Sequence, residues 1–455
     1  MNRESTGSGG PVDARTSSHP RTVSRIKLWT GVGACLLLPA LGHSADAAVS
    51  ALPPVPMTAG GEGGEGGEGG EGGEGGDLKP QSYQLLLDAD VMPRYDASAV
   101  RTAYRELAEQ SYTEAIRAVD RLAEAIAALL EQPTPRALER ARMRWREAHL
   151  RYLQTEPLRF YDGPIDGPAA GGRPAGPEGR INAWPLNEAV IDYVRDQPTA
   201  GLVQADPAIA LDRVLILGAD QVRDEADVTT GFHAIEFLLW GQDLSATGPG
   251  ARPVSDYVAA GKGAANDRRR TYLKELVTLL REDLIQVRSQ WQLATPGSYA
   301  AAFARLDDYE AIGRILHGMT ALVGLELSSE RLAVALDSGT QEDETNCFSD
   351  TTHLTFGAGL AGVRTFYAGT RQAPGVATLL KQLDPVANAA VLAALEEAEA
   401  AARALPAPFD QVLSSAAGSA QRAKAEALVS ALTELTARLK AAGRALGVLV
   451  PVAGG

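Results

Sequence analysis

The stretch AYRELAEQSYTEAIRAVDRLAEAIAALLEQ, residues 103–132, sets apolar side chains at helical spacing without a break and stops at Pro133. An element of that length must bury its apolar stripe against others of its kind. The chain supplies them: PRALERARMRWREAHLRYLQTE, RRRTYLKELVTLLREDLIQVRSQWQ, AFARLDDYEAIGRILHGMTALVGLELSSERLAVALD, VANAAVLAALEEAEAAARAL and QRAKAEALVSALTELTARLKAAGRAL. No run of alternating β-branched residues competes with them. The expected fold is therefore all-α, as two four-helix-bundle-like domains spanning residues 79–290 and 291–455. Two Gly/Pro-rich or acidic interruptions, residues 156–185 and 336–353, each follow a long helix whose last part holds a Glu and an Arg (TEPLR and SERLAVALD). That parallel points to an internal duplication.

The first residues read as targeting. Arg21, Arg25 and Lys27 precede an apolar run from Leu28 to Leu41, and Ala45 and Ala47 stand at the spacing of a cleavage site, so residues 1–47 are expected to be a signal peptide. Periplasmic or cell-envelope export follows; the box VGAC makes a lipid anchor at Cys35 the lesser alternative. Residues 48–78, with GGEGGEGGEGGEGGEGG, offer no packing surface and are expected to be a disordered tether. With the signal removed, Cys347 stands alone and no intramolecular disulfide can form. A formal charge of −14 argues against nucleic acid as a partner, because phosphate binding needs a basic face.

Chemistry concentrates in GFHAIEFLLWGQD, Gly231 to Asp243. On a helix, His233 and Glu236 project from one face, and apolar residues surround them on the others. Burying a carboxylate requires a proton, a cation or hydrogen-bond donors. The bland solution is a pair that satisfies itself. The alternative is a metal site, and imidazole plus carboxylate without thiolate suits iron, zinc or manganese. Two ligands are too few, and Glu156 is the first candidate for a third, since helical bundles combine a carboxylate from one helix with a Glu/His pair from another. Arg159, Asp162 and Asp166 in the first interruption, Asp243 after the signature, and Asp337 and Asp350 in the second complete the candidate set. A zinc peptidase is a competing reading: His-Glu-x-x-His is absent, while His-x-x-Glu with a distant His317 or His353 would match the carboxypeptidase ligand set. Those enzymes need a mixed sheet, which the pattern does not offer, and no general base or catalytic residue can be assigned.

GFHAIEFLLWGQD resembles the Gly-x-His-x-x-Glu signature of the imelysin family. QTEPLRFYDGPID is similar to that family's stretch after its second long helix, and ALDSGTQEDETNCFSDTTH is similar to a segment of its iron-regulated protein A branch. The resemblance runs from about Lys79 to Leu449 and maps the signature onto Gly231, His233 and Glu236. It implies an all-helical envelope protein with the signature near a domain interface, a role in iron uptake, and a metal ion or iron-containing ligand as partner, with a membrane or envelope protein as a further one. It makes iron the expected cofactor and zinc the alternative. Descriptions of some members as metallopeptidases keep that activity as the second reading.

Overall fold

The computed structural model describes residues 83–451, apart from 87, 89, 171 and 246. The stretches expected to be an export signal and a Gly/Glu tether, with Cys35, lie outside the described residues. Among the described residues the chain is all-α, with isolated bridges and no strand.

Helix α1, Ser98–Glu131, buries Tyr104, Leu107, Tyr112, Val119, Leu122 and Leu129 on one stripe and ends just before Pro133, where the ring would clash with the preceding turn. Helix α2, Pro135–Leu153, begins at once, because the Thr134 hydroxyl accepts the Ala137 N–H at 3.2 Å and Pro135 fills the first turn, where no N–H is needed. Thr134→Ala should lower stability by about 1 kcal/mol, read as a shift in the urea midpoint at unchanged slope. The signature forms α3, Gly231–Trp240, with all its residues buried. It packs on α2 and on α4, Ala265–Gln290, which in turn lies along α1.

In the second half α5, Asp308–Ala321, runs on through a π-helical stretch, Leu322–Ala333, into Val334–Ser338. Helix α6, Thr352–Ala368, packs on α7, Pro385–Arg403, and reaches across to α2. Helix α8, Ala420–Ala445, lies against α7, α5 and the π-helical stretch. One apolar core runs without a gap past position 290. Among the described residues no helix is long and apolar enough to cross a membrane.

Two helices differ from their sequence expectation. The stretch expected from Ala302 to Asp337 breaks after the short helix Tyr299–Phe303, and Asp307 starts α5 by accepting the Glu310 N–H at 2.9 Å. A short carboxylate competes for nearby backbone N–H groups and so favours a cap over a helix interior. Helix α2 stops at Leu153 rather than Glu156, and the Thr155 hydroxyl donates back to the Tyr152 carbonyl at 2.7 Å. The long connection from α2 to α3 is anchored by a buried triad: Asp192 accepts Arg252 at 2.8 Å and Arg269 at 2.6 and 3.1 Å.

The ends of the described chain meet through Leu449 N–H to the Tyr83 carbonyl at 2.7 Å, while the Tyr83 hydroxyl meets His317 Nδ1 on α5 at 2.7 Å. Burial pushes the His317 imidazole down to about 4, with Asp162 opposing and Arg314 reinforcing. Between about pH 6.5 and 4 the unfolded chain binds a proton there that the native state refuses, so this contribution is present above pH 6.5 and lost as pH falls. Urea unfolding of wild type and His317→Gln should show the wild-type advantage shrinking by about 1–2 kcal/mol between pH 7 and pH 4.5. A gap independent of pH would contradict this assignment.

Candidate functional site

Gly231 opens α3 with φ +80°, and a Cβ there would lie 2.5 Å from the Ile181 carbonyl oxygen and 2.8 Å from that of Arg180. The signature glycine thus lets the helix start against the backbone of residues 180–181, a close approach that no L side chain permits. From that start His233 and Glu236 face the end of α2 and the loop that precedes α6.

His233 Nδ1 meets Glu236 Oε2 at 3.0 Å. The other carboxylate oxygen, Oε1, accepts both the backbone N–H of Ser349 at 3.1 Å and its hydroxyl at 2.6 Å. The Ser349 hydroxyl is in turn 2.7 Å from that of Thr351, which accepts the Asn346 amide at 3.1 Å. Asn346 Nδ2 also donates to His149 Nδ1 at 3.1 Å, so His149 carries its proton on Nε2 and donates it to Asn182 Oδ1 at 2.8 Å. His149 packs beside the rings of Trp145 and Phe232, each 4.9 Å away between centres, and edge-on to His233 at 5.3 Å.

Burial works against charge on these groups. It pushes His233 down to about 3, helped by the positive charge of Arg331, and Glu236 up to about 8, against the Ser349 hydrogen bonds. His149 is held well below the usual histidine range, by burial first and by His233 second. Burial thus works against charge on both partners of the 3.0 Å His233–Glu236 contact. His233 Nε2 has no hydrogen-bond partner among the described residues.

Of the other sequence candidates, Glu156 is fully buried and bound by Arg331, at 3.0 and 2.5 Å, with Arg159 at 3.5 Å. Arg331 also holds Glu326 at 2.9 Å, and Arg159 reaches Glu178 at 3.2 Å. Glu156 thus belongs to a buried arginine–carboxylate cluster, one arginine away from His233. Asp166 shapes the first interruption by accepting the Phe160 N–H at 2.5 Å and that of Gly163 at 3.2 Å, and Asp162 adopts φ +56° in the same turn. Asp337 is exposed at a helix end. Asp243 and Asp350 do converge, with Asp410 as a third member that the sequence did not single out. His317 is engaged with Tyr83, and the imidazole nearest to His233 is instead His149. A histidine among Trp145, Ala148 and Tyr152 on the buried stripe of α2 was the one sequence signal for it.

Comparison with known proteins decides the family. The imelysin (peptidase M75) pattern matches residues 108–439. The chain belongs to the imelysin family. It is 24% identical, over 79% of its length and 85% of the relative's, to iron-regulated protein A of Synechococcus elongatus. Among solved structures it is similar to an iron-regulated protein A precursor from Parabacteroides distasonis, with TM-score 0.60 and 16% identity over 80% of this chain and 98% of that one. An imelysin-like protein from Psychrobacter arcticum gives TM-score 0.57 and 16% identity over 80% of this chain and 100% of that one. At these identities the structural matches establish the shared imelysin fold.

Proposed function

We propose that this imelysin-family chain is exported to the cell envelope and handles iron there, with His233 Nε2 as the protein's metal donor and Glu236 as the group that orients it. One observation carries the reading: His149, Ser349 and Glu236 are hydrogen-bonded and Asn346 donates to two partners, while His233 Nε2, like the buried Asn346 Oδ1, has no partner among the described residues. A metal-binding histidine characteristically gives its second ring nitrogen to a carboxylate, and Nδ1 faces Glu236 at 3.0 Å in that way. The imidazole and carboxylate set fits ferrous iron, with zinc as the competing ion. The iron-regulated name of the Synechococcus elongatus relative supports iron as the cargo.

The metallopeptidase reading takes its support from the family's peptidase name. It needs a third protein ligand and an open position for water. Among the described residues no third carboxylate, imidazole or thiolate groups with His233 and Glu236, which leaves both readings short of protein ligands; the iron-regulated relative is what favours binding.

Equilibrium dialysis against ferrous iron and zinc, in excess calcium, tests the site. Wild type should retain about one ion per chain, and His233→Ala should bind at least about tenfold more weakly. Equal retention by both proteins would remove His233 as a donor. Cleavage of a denatured protein substrate that a chelator abolishes would favour the peptidase reading instead.

A further inference from the structure

A second group of carboxylates stands at the C-terminal end of the signature helix. Asp243 follows α3, Glu344 and Asp350 lie on the loop before α6, and Asp410 begins a short helix between α7 and α8. One oxygen from each of Asp243, Asp350 and Asp410 lies within 4.8 Å of the others. Gln341 Nε2 donates to Asp243 at 2.8 Å and to Asp410 at 2.9 Å, and Ser245 N–H donates to Asp243 at 2.9 Å. These bonds leave most of the oxygens without well-formed donors: both of Glu344, both of Asp350 and Oδ2 of Asp410 are buried with no hydrogen bond of good geometry, and what lies near them is the Thr352 hydroxyl and one another's carboxyl groups. Glu344 is 0% exposed, Asp410 3% and Asp350 8%. No Lys, Arg or His among the described residues pairs with any of the four.

Buried carboxylates without donors or cations are costly, and several side by side are costlier still. Burial and mutual repulsion hold Asp350 up at about 8 and Asp243 up at about 6, and burial and Asp410 raise Glu344 against a nearby Thr352 hydroxyl. A cation removes the conflict at once. We propose that Asp243, Glu344, Asp350 and Asp410 form a site for a hard divalent cation of the calcium class, distinct from the His233 donor.

The ligand chemistry selects the ion. All donors are oxygen, the set that suits calcium, magnesium and manganese, whereas zinc and copper sites rely chiefly on nitrogen or sulfur with carboxylate as an addition. Carboxylates drawn from three separate segments give an irregular shell, which calcium tolerates and magnesium, with its strict octahedron and tightly held waters, does not. The location also gives the ion a task. Asp350 is the neighbour of Ser349, whose N–H and hydroxyl hold Glu236. A cation bridging Asp243, Asp410 and the 344–350 loop would pin Ser349 against the signature helix.

Calcium titration of chelator-stripped, full-length protein, followed by thermal unfolding and calorimetry, tests this. At calcium a hundredfold above its Kd, wild type should gain about 3 °C in Tm. His233→Ala should gain the same, which separates this site from the proposed iron donor. Asp410→Asn should remain folded without calcium, because a carboxylate in the repelling cluster becomes neutral, and should lose the calcium response; Asp350→Asn serves if that variant fails to fold. No shift in wild type up to roughly 10 mM calcium, above the range of weak protein sites, would overturn the proposal. So would an equal shift in both carboxamide variants, or loss of the shift in His233→Ala alone.

Discussion

Replacing Arg331 with Met should lower the stability of the fold by about 3–5 kcal/mol, the range found when one partner of a buried ion pair is removed. Its guanidinium binds both oxygens of Glu156 and one of Glu326, and all three side chains are at most 5% exposed. Without Arg331 two carboxylates remain in the core with Arg159 as the guanidinium beside them, 3.5 Å from Glu156 and within electrostatic reach of Glu326. Burial works against the charge of Arg331, yet Glu156 and Glu326 more than offset it and hold its pKa above the ordinary arginine value. The effect should appear as a drop of about 4–6 °C in Tm for a body of this size. Glu156→Gln and Glu326→Gln added to Arg331→Met should restore a large part of the loss, because neutral amides leave no unpaired charge. A single-variant loss under about 1 kcal/mol would mean that water enters this cluster, contrary to its burial.

Gly231→Ala should be nearly as damaging, at about 3 kcal/mol or more, although it adds one methyl group. The backbone must hold φ +80°, which alone costs an L residue about 1 kcal/mol, and the methyl would meet two carbonyl oxygens at 2.5 and 2.8 Å. Relief requires α3 to move away from residues 180–181, and His233 and Glu236 move with it. Gly218→Ala is the control. Gly218 sits within the helix Arg213–Ala219 with open space around its Cα, so alanine there should stabilise by about 0.5–1 kcal/mol. Paired urea melts of the two variants should therefore shift in opposite directions. A neutral Gly231→Ala would show that the signature glycine has another reason.

The helices were readable because a 3.6-residue apolar period over many turns has one good solution, and Pro133, Thr134 and Pro135 mark a boundary in plain residue types. His233 and Glu236 were readable because two ionisable groups interrupt an apolar helix three residues apart. Their partners were not. Ser349 is 113 positions from Glu236, and Asn346 is 197 from His149, so only tertiary packing brings them together. Asp410 reads in sequence as an ordinary helix-start carboxylate, and nothing local announces that it will face Asp243 and Asp350. Glu156 was singled out as a third metal ligand, and the structure pairs it with arginine instead. Its arginine partner at position 331 lies on the π-helical stretch, whose altered period brings a different face inward from the one an α-helical pattern predicts.

The most direct measurement follows the imidazole nitrogens of His233 by NMR in isotope-labelled protein, with and without saturating zinc as a diamagnetic stand-in for ferrous iron. Excess calcium is present, and His233→Ala supplies the assignment. A metal on Nε2 leaves Nδ1 as the protonated nitrogen, donating to Glu236 across the 3.0 Å contact. Zinc should therefore shift the Nε2 resonance to the metal-bound range, fix the proton on Nδ1 and leave the doubly hydrogen-bonded His149 in its Nε2–H form. His233 resonances that saturating zinc leaves unchanged would make the signature pair a structural hydrogen bond and remove the proposed metal donor.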